Sequence, residues 1–208
     1  MRLKAGDQAP RVRLVDVEGT AHVLGQPGSP TLLCFFGDAA CAFCNVYVYD
    51  LIERYERFVS HGLHAIVLYN AAQESVWHFV SGHPRPFPVV ADARAAAYRA
   101  YGVEHSAWGK LKGLVLRAPT FIKGLRMVGA AGLNANTTMP ADFLVDRDGR
   151  IAAAHYGVDP ADHISFADVE AFAIARAAGP ECAAGGHAAA RACGPAHTGT
   201  ALSGRGLE

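Results

Sequence analysis

The chain has 208 residues, 51% hydrophobic and 18% charged, and its 19 basic and 19 acidic side chains balance to zero net charge. That length fits one domain with room for a tail, and the apolar fraction supplies a core. The even charge excludes nucleic-acid binding as a global property. Nothing approaches the ~20 consecutive apolar residues of a spanning helix, and no apolar run of signal-peptide length opens the chain, so a soluble, cytoplasmic protein is expected. Five cysteines in so long a chain are not a disulfide framework; in a reducing compartment a close pair is more often catalytic or metal-binding.

Arg11–Val17 alternates apolar and polar residues, turns at Glu18-Gly19 and resumes over Thr20–Leu24, which predicts a β-hairpin. Thr31–Phe36 is a continuous apolar run, the pattern of a central buried strand. A helix is predicted from Asn45 to Ser60, and Leu63–Tyr69 is a second buried strand. Ala72–Ser81 reads as a helix, Pro86–Asp92 as a short strand, and Ala93–Tyr101 as a helix stopped by Gly102.

Residues 104–135 break this alternation. They carry Lys110, Lys112, Arg117, Lys123 and Arg126, with no acid between Glu104 and Asp142, interleaved with large apolar residues. Pro119 divides them into two helical pieces. This insertion is expected to pack its apolar face on its own domain or in a homodimer, with a membrane or partner surface as the competing reading. Asp142–Val145 and Ile151–Tyr156 flank a hairpin turn at 146–149, and His163–Ala177 is a last amphipathic helix. Beyond Gly179 the chain is Ala/Gly-rich, so 1–178 is expected to form the domain and 179–208 a flexible tail. The whole predicts an α/β domain with a mixed central sheet between helices.

Cys41-Ala42-Phe43-Cys44 follows the first buried strand and opens the first long helix. The free N–H groups and partial positive charge of a helix N-terminus favour a thiolate, and the thiolate is the nucleophile. A redox pair, half a metal site and two inert thiols are the competing readings. No second C-x-x-C completes a zinc site, so the redox reading leads, with no metal or organic cofactor. Cys34, inside the apolar run, reads as a core thiol. Cys182, Cys193, His187 and His197 match no zinc spacing and carry no assignment. Asp38 is a candidate auxiliary that could shuttle a proton or raise a thiol pKa, against a plainer reading as a loop or cap residue. No histidine stands beside the thiols in sequence, and none is assigned a catalytic role.

Gly6-Asp-Gln-Ala-Pro10 with Leu14–Gly19, Phe87–Asp92 through Tyr101-Gly-Val103, and Ala141–Ile151 together resemble the AhpC/TSA peroxiredoxin-like family over roughly residues 5–178. The resemblance implies a thioredoxin-like fold and a thiol-dependent antioxidant enzyme that reduces a hydroperoxide or a protein disulfide. It also implies recharging by an external thiol reductant such as a thioredoxin-like protein. Against the family's P-x-x-x-T-x-x-C motif stands Gly37-Asp-Ala-Ala-Cys-Ala-Phe-Cys44, which puts Cys44 at the peroxidatic position and Cys41 in place of the threonine. The family's arginine before the late strand is replaced by Met139-Pro140-Ala141-Asp142. Met139-Pro140 resembles instead the cis-proline site of thioredoxins. A cis bond there would turn the backbone of Met139 toward the thiols, to position an extended substrate as an added strand.

Two assignments of the attacking thiol follow. Thioredoxin-style exchange makes Cys41 the attacker and Cys44 the resolver, and the family alignment makes Cys44 the attacker. Exposure favours Cys41. A thiol–disulfide oxidoreductase without peroxidase activity and a redox sensor that switches the 104–135 segment are the alternative functions.

Overall fold

The computed structural model describes residues 1–81, 85–106, 111, 116–129, 131 and 137–177. The 179–208 tail lies outside the described residues, and so does most of the expected helical piece before Pro119.

β1 (Val12–Val15) and β2 (Ala21–Leu24) pair antiparallel as the expected hairpin. β3 (Thr31–Phe36) is buried along nearly its whole length and leads into α1 (Ala42–Ser60). Then come β4 (His64–Tyr69), α2 (Gln73–Val80), β5 (Val89–Ala91) and α3 (Ala96–Ala100). α4 (Ala118–Val128) has its proline in the first turn, where the missing N–H costs nothing. β6 (Ala141–Val145), β7 (Ile151–Tyr156) and α5 (Phe166–Ala177) complete the described elements.

The main sheet runs β5-β4-β3-β6-β7. β3 is parallel to β4 and antiparallel to β6, and β7 is antiparallel to β6. A strand flanked on both sides and covered on both faces must be apolar throughout, which is why the Thr31–Phe36 run is continuous. Its side chains alternate between two cores. Leu32, Cys34 and Phe36 join Cys44, Val48, Leu51 and Val169 on one face. Leu33 and Phe35 join Tyr98, Tyr101 and Phe143 on the other.

Local chemistry trims several predicted boundaries. Asp92 accepts from Ala96 N (3.0 Å) and Ala97 N (2.8 Å), so α3 begins only where that carboxylate caps it. Ser165 Oγ accepts from Asp168 N (3.1 Å) and starts α5 at Phe166. The expected first residues of that helix are spent elsewhere: the fully buried Asp142 takes Ile164 N (2.9 Å) and lies 3.0 Å from His163 Nδ1.

Candidate active site

Cys41 is the N-cap of α1, with φ −61° and ψ 121°. α1 therefore begins at Ala42, earlier than the sequence predicts, because a cysteine does the work usual for serine or aspartate: its Sγ accepts from Cys44 N at 3.3 Å. This bond and the positive end of the helix favour negative charge on that sulfur.

The two thiols differ in their surroundings. Cys41 is partly exposed and Cys44 is 4% exposed. Burial, first of all, pushes the Cys44 thiol well up; the adjacent Cys41 sulfur, to which it is hydrogen-bonded, and the charge of Asp38 act in the same direction, with a Gly37 backbone hydrogen bond opposing. Cys44 thus keeps its proton, while Cys41 is the more exposed of the two. Cys34 is fully buried, and burial together with Asp142 raises its pKa, as a core thiol requires.

The loop joining β3 to α1 is fastened from both ends. Asp38 Oδ1 accepts from Ala40 N (2.8 Å), and its carbonyl accepts from Cys41 N (3.0 Å). Asp38 therefore shapes the turn, while its charge helps keep Cys44 protonated. Asn45, one turn into the helix and buried, donates Nδ2 to Ala39 O (2.6 Å) and Cys41 O (3.0 Å). Sequence reading missed Asn45. Its one signal is an amide among the apolar residues Phe43, Val46 and Val48 of the helix start.

α4 covers the start of α1. Phe121 lies against Phe43 with ring centroids 5.3 Å apart. Gly124 is buried with no room for a side chain: a Cβ there would overlap the Ala42 carbonyl and stand 2.9 Å from Ala42 Cα. The second half of the basic insertion thus packs on its own domain, beside the C-x-x-C. Lys123 reaches Asp50 at 3.9 Å, while Ile122 and Met127 face outward. Gly124 too was missed, because a single glycine inside a helix gives no sign of which backbone it must approach.

Met139-Pro140 departs from expectation. The peptide is trans, and no cis bond occurs among the described residues. Met139 N donates to Glu104 O (3.0 Å) and Gly157 N donates to Pro140 O (2.9 Å). These bonds hold an extended run into β6, so the Met139 N–H that would have received a substrate strand is already taken by the chain itself. The β3–β6 register pairs Phe35 with Ala141.

Among the described residues no group of three or more His, Cys, Asp or Glu side chains could hold a metal ion, and no helix is long and apolar enough to cross a membrane.

Comparisons with known proteins agree with this geometry. The model of the AhpC/TSA family matches residues 5–154. A Mycobacterium tuberculosis protein named "Putative peroxiredoxin MT2597" is 24% identical over 167 residues, 79% of this chain and 92% of that protein. The structure of Peroxidoxin BcpB from Mycobacterium tuberculosis superposes with a TM-score of 0.61 at 15% identity, covering 84% of this chain and 98% of that one. A Chlorobium tepidum structure described as a "putative Thiol:disulfide interchange protein DsbE" gives 0.56 at 22% identity, over 86% and 100%. At such identities the two structures show the shared thioredoxin-like fold.

Proposed function

The chain belongs to the AhpC/TSA family and is a thiol-dependent oxidoreductase; we propose that its working couple is Cys41 and Cys44, cycling between dithiol and disulfide. The observation that carries this is the asymmetry of the pair: a capped, accessible sulfur at a helix N-terminus beside a buried thiol held protonated. In this reading the Cys41 thiolate attacks the distal oxygen of a hydroperoxide. The S–O bond forms as the O–O bond breaks, leaving a sulfenic acid and an alcohol. Cys44 then attacks the Cys41 sulfur, the S–S bond forms and water leaves. Two equivalents of an external thiol, such as a thioredoxin-like reductant in the cytoplasm, return both cysteines to thiols. A protein disulfide is the other substrate class, attacked by the same sulfur. Met139 and Pro140, leading into β6 beside β3, are the proposed substrate-positioning pair.

Hydrogen peroxide and cumene hydroperoxide consumption with a dithiol reductant tests this, with insulin reduction in parallel. Turnover that is lost in both Cys41→Ser and Cys44→Ser supports the couple. Insulin reduction without peroxide turnover selects the thiol–disulfide exchange reading, and inactivity in both assays leaves only a redox sensor. A sulfenic-acid probe that labels Cys44 in Cys41→Ser, and nothing in Cys44→Ser, would reverse the assigned roles.

A further inference from the structure

α4 carries a second apolar stripe that its packing on α1 does not use. Phe121, Gly124, Leu125 and Val128 are buried or half-buried, and their spacing puts them on one face of the helix. That face seats Gly124 on the Ala42 backbone and Phe121 on Phe43. Pro119, Ile122, Lys123, Arg126 and Met127 share the other spacing, and all five are exposed. Ile122 is 50% exposed and Met127 45%, and Leu116, just before the helix, is 62% exposed. A helix face turned to water normally carries polar side chains instead.

The charges on this stripe have one sign. Arg117, Lys123 and Arg126 are the charged residues described between 116 and 129, and none is acidic. Arg117 lies 3.5 Å from Asp159 and Lys123 reaches Asp50 only at 3.9 Å in an exposed pair, the kind that is worth little. Arg126 makes no ion pair among the described residues. A second copy of the chain fits poorly here, because a two-fold contact would set the stripe on itself, cation facing cation. A bilayer fits poorly too, since the broader apolar face of the helix is already spent on α1. The surface that complements the stripe is a protein's, apolar at its centre and acidic at its rim.

The stripe also borders the C-x-x-C. The other side of the same helix touches Ala42 and Phe43, the two residues between the thiols, and a helix is about 10–12 Å across. A protein that brings its own sulfur to Cys41 must cover the ground around it. Even a weak redox encounter buries up to about 1,200 Å² in total, about 600 Å² on each side, which is a patch roughly 25–28 Å across. α4, seated on the residue after Cys41, falls inside such a patch.

Resting on the redox reading above, we propose that the outward stripe of α4 is the docking surface for the protein that reduces the Cys41–Cys44 disulfide, a dithiol protein with acidic residues around an apolar contact. A thiolate of the docked protein attacks one sulfur of the disulfide. The S–S bond breaks as a mixed disulfide forms, and the released thiolate takes a proton. The partner's second thiol gives up its proton and attacks the partner sulfur of the mixed disulfide. Two electrons and two protons have then passed to Cys41 and Cys44, and the partner leaves as a disulfide. Leu116, Ile122 and the adaptable Met127 supply the apolar contact, while Lys123 and Arg126 set orientation and on-rate.

The test is hydrogen peroxide turnover by the full chain, driven in parallel by a thioredoxin of net negative charge, recycled by its reductase and NADPH, and by dithiothreitol. The readout is the ratio of the two kcat/KM values for the reductants. Ile122→Asp and Arg126→Glu are each expected to lower that ratio about tenfold, the scale of a single interface residue. The thioredoxin-driven rate of the wild type should fall as NaCl rises from about 25 to about 300 mM, and Arg126→Glu should lose most of that dependence. Arg13→Glu, on exposed β1 against the other core, should keep the ratio. Melting temperatures within about 2–3 °C of wild type establish that the variants are folded. An unchanged ratio in both α4 variants overturns the proposal, with the redox reading standing on dithiothreitol turnover. A wild type driven by dithiothreitol but not by thioredoxin overturns it in the same way. Cosedimentation with phosphatidylserine vesicles that both α4 variants abolish, at a kept ratio, gives the stripe to a membrane and also overturns it. A wild type inactive with either reductant removes the redox reading and the proposal together.

Discussion

Replacing Gly124 with alanine sets two opposed effects against each other at the site's edge. Helix propensity favours alanine over glycine by about 1 kcal/mol in a helix interior. The structure opposes it: the new Cβ would overlap the Ala42 carbonyl and sit 2.9 Å from Ala42 Cα, and neither is the movable end of a side chain. Carbon atoms pack best at about 3.5–4.0 Å, so α4 must withdraw from α1 by at least about half an ångström. Overpacking of this kind costs about 1–3 kcal/mol. Withdrawal also loosens the Phe43–Phe121 contact, a pair of a kind worth about 1 kcal/mol. The clash therefore outweighs propensity, for a net destabilisation of about 2 kcal/mol and a fall in Tm of roughly 4–8 °C. Thermal melting by circular dichroism measures the first consequence. Iodoacetamide alkylation of Cys41 under native conditions measures the second, which is faster modification as its cover lifts. A Tm that rises by a few degrees with unchanged alkylation would refute the close seating of α4 on α1.

Cys44→Ser is expected to retain rapid alkylation at Cys41, and Cys41→Ser to show almost no alkylation at Cys44 or Cys34 until denatured, because both are buried; peptide-level mass spectrometry, which separates these sites from Cys182 and Cys193, decides this. Asn45→Ala strips Ala39 O and Cys41 O of their Nδ2 donor and should cost about 1–3 kcal/mol by urea titration, with slower turnover as the loop loosens. The reduced protein should lose stability with rising pH above about 8.5, the ordinary thiol pKa. Cys34 and Cys44 have raised pKa values when folded, so between that pH and their folded values the unfolded chain has lost protons that the native state retains. Each thiol contributes at most about 1.4 kcal/mol per pH unit to the decline, and Cys34→Ala should flatten it between pH 8.5 and 10; an unchanged slope would contradict the raised pKa. Asp142→Ala, which strips Ile164 N and His163 Nδ1 of their buried partner, should destabilise by about 1–3 kcal/mol in the same denaturant titration.

The sequence by itself determined the frame. Continuous apolar runs at Thr31–Phe36 and Leu63–Tyr69 could only be central strands, because burial on both faces leaves no polar alternation. The turn at 146–149 declared the β6–β7 hairpin through its own local chemistry. The position of C-x-x-C between a buried strand and a helix marked Cys41 and Cys44 as the candidate thiols. Those signals are local, carried by residues close together in the chain. What the tertiary structure decided was long-range: that Cys44 is the buried thiol and Cys41 the more exposed one, that Met139 spends its N–H on Glu104 in a trans Met139-Pro140 run, and that Gly124 lets α4 touch Ala42. Each of these depends on an atom contributed from elsewhere in the chain, and the periodicity of one segment carries no record of the backbone it will meet.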